Sequence, residues 1–318
     1  MEKKEKILII KTGYSEILDE LGDSGRVSSL GDVLRTTVLL NLYKKDHVTW
    51  VSDESAFPLL EGNPHIDRLL PLDFWTAAKL QEEEFDSVIN LEKNLEICKF
   101  SKKIEAWKKY GFRYDPKTQT AKAYDRAFDV LAVSTSPELK KSNQKTCQEL
   151  LFEMVGQKWE GEPYILGYKP KTKEVFDVGL NVFVGTKWPS KAYPKEKWNE
   201  LERLLENSGL EVTRQDKQNK NVLTNIYDYI DWLNSSKLIV SNDSLGMHLG
   251  FALGKKVVGL FGPTPHKEIF FNDSSRALLP EKDYGCLPCF KGKCDQEDYC
   301  MDNIPVERVF NTVKELSS

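Results

Sequence analysis

The sequence predicts an α/β protein with two parallel, doubly wound sheets, and three observations carry that expectation. First, Lys237–His266 reads as one strand–helix–strand unit. Leu238, Ile239 and Val240 form a short buried strand, Asn242-Asp243-Ser244 supplies turn and cap residues, Met247–Leu253 is an apolar helical run closed by Gly254, and Lys256–Phe261 is a second strand broken by Gly262-Pro263-Thr264-Pro265. Second, the N-terminal half alternates short apolar strands with helical runs, the pattern of a doubly wound sheet. Third, Tyr168–Glu174 has linker composition, and the alternation restarts beyond it at Leu180–Val184. With 318 residues, 40% of them hydrophobic, the chain can fill two cores of ordinary size.

Composition narrows the partners. A formal charge of -4 and a pI near 5.8 argue against nucleic acid as the main partner, because phosphate backbones need a broad positive field. No apolar run approaches the roughly 18 residues of a membrane span, and Met1–Lys6 has no signal-peptide core behind it, so a cytosolic protein with no transmembrane segment is expected. Six cysteines in that compartment stay reduced or bind metal.

Along the chain, Lys6–Lys11 is a compact apolar strand. Thr12–Ser29 is a long loop at its carboxyl end, where function concentrates. Leu30–Thr37 opens an amphipathic helix that runs on through Leu39, Leu40, Leu42 and Tyr43, with Asp32 in its first turn as a helix cap or dipole partner. His47–Val51, Ile66–Leu70 and Ser87–Leu91 are further strands, and Ala56–Leu60 is a short helix. Lys99–Lys122 is basic and aromatic, which reads as a solvated helix face or a binding surface. Ser142–Val155 is a helix before the linker.

In the second half, the strand Leu180–Val184 runs into the loop Gly185–Pro194, and the helix Glu196–Asn207 follows with Trp198, Leu201, Leu204 and Leu205 at core spacing. Glu211–Arg214 is the next strand, with Gln215 and Asp216 at its tip, and Asn225–Ser235 a helix. In Lys237–His266, the residues Asp243, Ser244, His248 and Thr264 fall at strand tips, where parallel sheets bind ligands, and the helix start near Ser244 offers amides and a positive dipole end suited to phosphate. Cys286-x-x-Cys289-x4-Cys294-x5-Cys300 has the thiol density of a tetrahedral zinc or iron site, with a reduced, metal-free cluster as the alternative. Pro305–Leu316 is an amphipathic helix.

Asn242-Asp243-Ser244-Leu245-Gly246-Met247-His248-Leu249, with Ala252-Leu253-Gly254 and Phe261-Gly262-Pro263-Thr264, resembles the signature of family 9 glycosyltransferases, the bacterial lipopolysaccharide heptosyltransferases. Relatives often carry Gly directly after the Asp-Ser/Thr pair; here Leu245 holds that place and Gly246 follows. Gly31-Asp32 before a helical Val-Leu-Arg-Thr-Thr run resembles the family's N-terminal motif, whose Asp is the proposed base. Thr12–Ser29 is then an insertion, and the decoy Leu21-Gly22-Asp23 runs into Ser24-Gly25, a poor helix start. Lys191 before Tyr193-Pro194 is similar to the second motif.

The resemblance implies a GT-B architecture, two Rossmann-like doubly wound domains facing across a cleft. Residues 1–168 form an acceptor domain, 175–304 a nucleotide-sugar donor domain, and 305–318 a helix crossing back to the first. It implies an inverting transfer of heptose, or a similar sugar, from ADP-heptose or another nucleotide sugar onto a lipopolysaccharide-type glycan at the inner membrane surface. Asp32 is the base, and Thr186, Ser190, Lys191, Asp243, Ser244, Leu245, Gly246, His248 and Thr264 bind the donor. Lys102, Lys103, Lys109 and Arg113 offer positive charge to an acidic acceptor. No Asp-x-Asp pair occurs, so catalysis is expected to need no metal ion, and the zinc or iron of Cys286, Cys289, Cys294 and Cys300 is expected to be structural. Two rivals remain at this stage. A nicotinamide-dependent oxidoreductase or epimerase lacks its Gly-x-Gly-x-x-Gly after the first strand, and a silent sugar-nucleotide binding subunit would bind donor without turnover.

Overall fold

The computed structural model describes residues 3–14, 28–218, 223 and 225–317. Asp23 and most of the Thr12–Ser29 loop lie outside the described residues. The chain divides into two compact units, Met1–Lys169 and Pro170–Ser318, each built on its own sheet.

In the first unit, β1 (Lys6–Ile10) buries Ile7, Leu8, Ile9 and Ile10 completely. A strand apolar on both faces belongs in the middle of a parallel sheet, and β1 pairs parallel with neighbours on both sides. α1 (Leu30–Thr36) continues as a 3-10 turn over Thr37–Leu42. β2 (His47–Ser52), α2 (Phe57–Leu60), β3 (Arg68–Pro71), α3 (Phe74–Leu80), β4 (Glu84–Asn90) and α4 (Leu95–Lys103) keep the alternation. β5 (Glu105–Asp115) pairs parallel with β4 and folds back on the antiparallel β6 (Thr120–Ala123). α5 (Phe128–Thr135), α6 (Pro137–Ser142) and α7 (Cys147–Met154) complete the unit. The strand order β3-β2-β1-β4-β5-β6 changes direction between β1 and β4. The solvated helix face suggested within Lys99–Lys122 is corrected here: Glu105–Asp115 is a strand, because its backbone completes the open side of β4.

The second unit holds β7 (Phe176–Asn181), α8 (Lys195–Asn207), β8 (Val212–Arg214), α9 (Ile226–Asn234), β9 (Ser236–Asn242), α10 (Leu245–Ala252), β10 (Lys256–Leu260), β11 (Arg276–Leu278) and α11 (Val306–Ser317). All its strand pairs are parallel, in the order β11-β10-β9-β7-β8, and the direction changes between β7 and β9. Val306, Val309, Val313 and Leu316 of α11 join Val178, Leu180, Trp198, Leu201, Leu238 and Val240 in this unit's core. The apolar face of α11 is thus used in the second core.

Candidate active site

The carboxyl ends of β7 and β9 are polar, following the buried runs Val178–Leu180 and Leu238–Val240, and these tips sit where the sheet order reverses. Asn181, fully buried, donates to Ser241 Oγ at 2.8 Å and Ser244 Oγ at 3.0 Å, and accepts from the Tyr229 hydroxyl at 2.5 Å. Asn242, also fully buried, donates to the Val182 carbonyl at 2.9 Å and accepts from the Tyr193 amide at 2.9 Å. One asparagine thus ties the head of α10 to β7, and the other ties the loop that follows Lys191 to β9. Gly246 is required by the first contact: a Cβ there would lie 2.3 Å from the Tyr229 oxygen and 2.4 Å from Asn181 Nδ2. Gly246 is thus the residue that faces these two side chains.

Above these tips, three donor-binding candidates from three loops meet. Lys191 Nζ lies 2.8 Å from Asp243 Oδ2, and the Thr264 hydroxyl donates to the same oxygen at 2.7 Å. The two charged side chains are 17% and 12% exposed, so solvent screens the pair weakly. Lys191 also stands 5.2 Å from the centre of the Trp188 ring. Burial alone would raise the Asp243 pKa, but the charges of Lys191 and His248 and the bonds from Lys191 and Thr264 outweigh it and hold the carboxyl at about 2. Ser244, at the head of α10, makes no side-chain cap, so the first amides of the helix are not served by the usual serine acceptor. His248 is buried on α10, and Thr186 is exposed on the loop before Lys191. Ser190 is buried, and its hydroxyl is bonded to the Lys291 carbonyl at 2.5 Å, which ties this loop to the cysteine-rich segment.

The depressed pKa of Asp243 makes a pH prediction. Its stabilisation is fully present above the unfolded carboxylate value near about 4 and is lost as pH falls through the folded value of about 2. Unfolding of the wild type and of Asp243→Asn, followed from about pH 6 down to about pH 2, is expected to converge as pH falls, with roughly 2–3 kcal/mol of the difference disappearing. A difference that stays constant across this range would show that no such carboxylate is held.

In the first unit, the sheet reverses between β1 and β4, and the charged residues just beyond those strands pair there. Lys11 Nζ lies 3.1 Å from Glu92 Oε1, which also accepts the amides of Thr12 and Gly13 at 2.7 and 2.8 Å. Burial alone would lower the Lys11 pKa; the charges of Glu92 and Asp32 outweigh it and hold it above its ordinary value. Gly13, at φ +78°, begins the loop, and a Cβ there would meet Ser28 Oγ at 2.6 Å. Asp32 lies in the first turn of α1, its side chain 31% exposed and 3.4 Å from Arg35. The proposed base therefore has two cations near it. Sequence reasoning missed Asn181, Asn242 and Glu92 as site residues. The available signal was a polar residue at the end of an otherwise buried parallel strand.

Other expectations change. Lys102 and Lys103 are exposed in the last turn of α4, but Lys109 lies on β5, where its ammonium donates to the Lys102 carbonyl at 2.9 Å. Arg113 stands 5.8 Å from the Tyr124 ring, and Lys99 stands 4.9 Å from the Tyr114 ring, so part of the basic and aromatic run is satisfied by itself. Gln215 accepts the Phe183 amide, and Asp216 pairs with buried Arg214 at 2.8 Å, which gives both tip residues structural partners. Cys300 lies within electrostatic reach of Cys286, Cys289 and Cys294, and among the described residues no three His, Cys, Asp or Glu gather as a group that could hold a metal ion. Cys300 is buried in the second core, whereas Cys286 and Cys294 are exposed and Cys289 is half-buried. Burial, and then the neighbouring Cys289, Cys294 and Cys286, push the Cys300 thiol up to about 11.

The family model for glycosyltransferase family 9 (heptosyltransferase) matches residues 75–223 and 213–300. The chain belongs to that family, and its two Rossmann-like units have the fold of the GT-B heptosyltransferases. It is 24% identical over 349 residues to a lipopolysaccharide heptosyltransferase 1 of Campylobacter coli, an alignment covering 92% of this chain and 97% of the relative. Against a lipooligosaccharide heptosyltransferase 2 of Campylobacter jejuni subsp. jejuni serotype O:6 the identity is 27% over 125 residues, and the match spans only 39% of this chain and 38% of that relative. The E. coli heptosyltransferase WaaC, solved with ADP, has a similar fold, with a TM-score of 0.63 at 16% identity, covering 98% of this chain and 99% of that one.

Proposed function

We propose that this protein transfers heptose, or a similar sugar, from ADP-heptose or another nucleotide sugar to a lipopolysaccharide-type glycan, inverting the anomeric carbon. The observation that carries this reading is the convergence of Lys191, Asp243 and Thr264 beside the head of α10, at the switch point of the second sheet. The ADP bound to the E. coli enzyme supports a nucleoside diphosphate as the group this crevice receives.

The chemistry follows from the charges. As the sugar departs, negative charge grows on the diphosphate. The Lys191 ammonium has three donors, one of them spent on Asp243, and the remaining ones together with the α10 amides meet that charge. The positive charge this step needs is thus supplied by the chain itself, with no metal ion or other cofactor called on. Asp32 takes the proton of the acceptor hydroxyl as the new bond forms on the opposite face of the sugar. Lys11 and Arg35 are the positive charges near it. Lys102 and Lys103 offer exposed positive charge to an acidic glycolipid core. Among the described residues no helix is long and apolar enough to cross a membrane. We place the enzyme in the cytoplasm, peripheral to the inner membrane that carries its acceptor.

A panel of nucleotide sugars, assayed for nucleoside diphosphate release with and without an acidic glycolipid core, tests this reading. Release of ADP from an ADP-activated sugar, dependent on acceptor, is the expected result. Tight ADP binding with no release from any donor would make the chain a binding subunit instead.

A further inference from the structure

We propose that Tyr299 is a positioning residue for Lys191: its hydroxyl lies between the carbonyls of Ser190 and Ala192, at 2.7 and 2.8 Å, and so holds the turn that carries the lysine. The inference rests on the assignment of Lys191 to the donor diphosphate.

The turn Pro189–Lys191 is a single 3-10 turn, reached through the exposed residues Gly185, Thr186 and Lys187. A lysine has a long, rotatable stem, so where its ammonium sits depends on where its backbone is fixed. The segment around the last three cysteines fixes it from one side. The Ser190 amide donates to the Gly292 carbonyl at 3.0 Å, the Ser190 hydroxyl donates to the Lys291 carbonyl, and the Tyr299 hydroxyl reaches the carbonyl on each side of Lys191. Asn242 holds the next residue but one, Tyr193, from the other side. Tyr299 is itself anchored: its ring packs against the second core, and buried Cys300 follows it at the start of a 3-10 turn. The same segment reaches the loop of Thr264, since the Phe290 amide donates to the Pro263 carbonyl at 2.9 Å. Tyr299 does not touch the ammonium, and its effect on transfer runs through the backbone of Lys191.

Tyr299→Phe keeps the ring and removes only the hydroxyl, which makes a double-mutant cycle with Lys191→Ala informative. We expect Tyr299→Phe to lower kcat/KM for the donor by about 5–10-fold, the usual worth of one net hydrogen bond, since the single hydroxyl proton is shared between the two carbonyls, with acceptor KM unchanged. In the Lys191→Ala background the same change is expected to cost less than about twofold, because no lysine remains to be positioned. Titration with ADP in a calorimeter is expected to show the same non-additivity. Equal losses in both backgrounds, or a lowered Tm with unchanged kcat/KM, would overturn the inference and leave Tyr299 a purely structural residue. If Lys191→Ala alone matches the wild type in turnover and ADP affinity, the donor assignment fails instead.

Discussion

Asp32→Asn is expected to lower turnover by about 10²–10⁴ while leaving donor affinity unchanged, the usual worth of a positioned general base. The substitution keeps the shape of the side chain at the head of α1, next to Arg35, and removes only the ability to take a proton. Donor affinity is expected to survive because the residues assigned to the diphosphate all lie in the second unit. If Asp32 served only as a dipole partner for α1, the cost would appear as about 0.3–1 kcal/mol of stability, with turnover intact. Single-turnover rates and thermal unfolding measured on the same preparation separate the two roles. Near-normal turnover would move the base elsewhere, with Asp23 the next candidate.

Lys191→Ala has the second largest expected effect. A charge-assisted contact to the diphosphate is worth roughly 1.5–3 kcal/mol, which corresponds to about 10–150-fold. Because the contact strengthens as the sugar leaves, kcat is expected to fall as well as donor affinity; a contact made equally in the ground state would change KM alone. The ion pair adds a complication that the sequence did not reveal. Removing Lys191 leaves the largely buried Asp243 carboxylate with the Thr264 hydroxyl on the same oxygen but without its cation, and breaking one side of such a pair costs stability. Lys191→Arg is therefore the useful companion, since it keeps the charge. A folded Lys191→Ala protein that binds ADP like the wild type would place the donor elsewhere.

Much of the fold was legible because its signals are local. Buried parallel strands are short continuous apolar runs, as in Ile7–Ile10 and Leu238–Val240, and amphipathic helices such as α8 and α11 repeat their apolar residues at helical spacing. Lys191, Asp243 and Thr264 were legible as well, through motif position at strand tips. α3 went unread because a seven-residue helix gives too few turns for a clear period. β5 was misread because alternating Lys and aromatic residues fit a solvated helix and a half-covered strand alike, and only the open side of β4 decided between them.

By itself, then, the sequence determined the α/β class, the order of most elements and the residue types at the strand tips, because these depend on neighbours a few positions apart. The tertiary structure decided what those residues do to one another. Lys191 and Asp243 are 52 positions apart, and Asn181 and Ser244 are 63 apart, and they meet only because β9 lies beside β7 in the finished sheet. The same holds for α11, whose apolar face names no partner in sequence and is claimed by the second core. It holds for the cysteines too: their spacing leaves their surroundings open, and the fold buries Cys300 against Gly262 while leaving Cys286 and Cys294 exposed. Spacing along the chain sets which side chains are available, and the path of the backbone sets which of them come within reach.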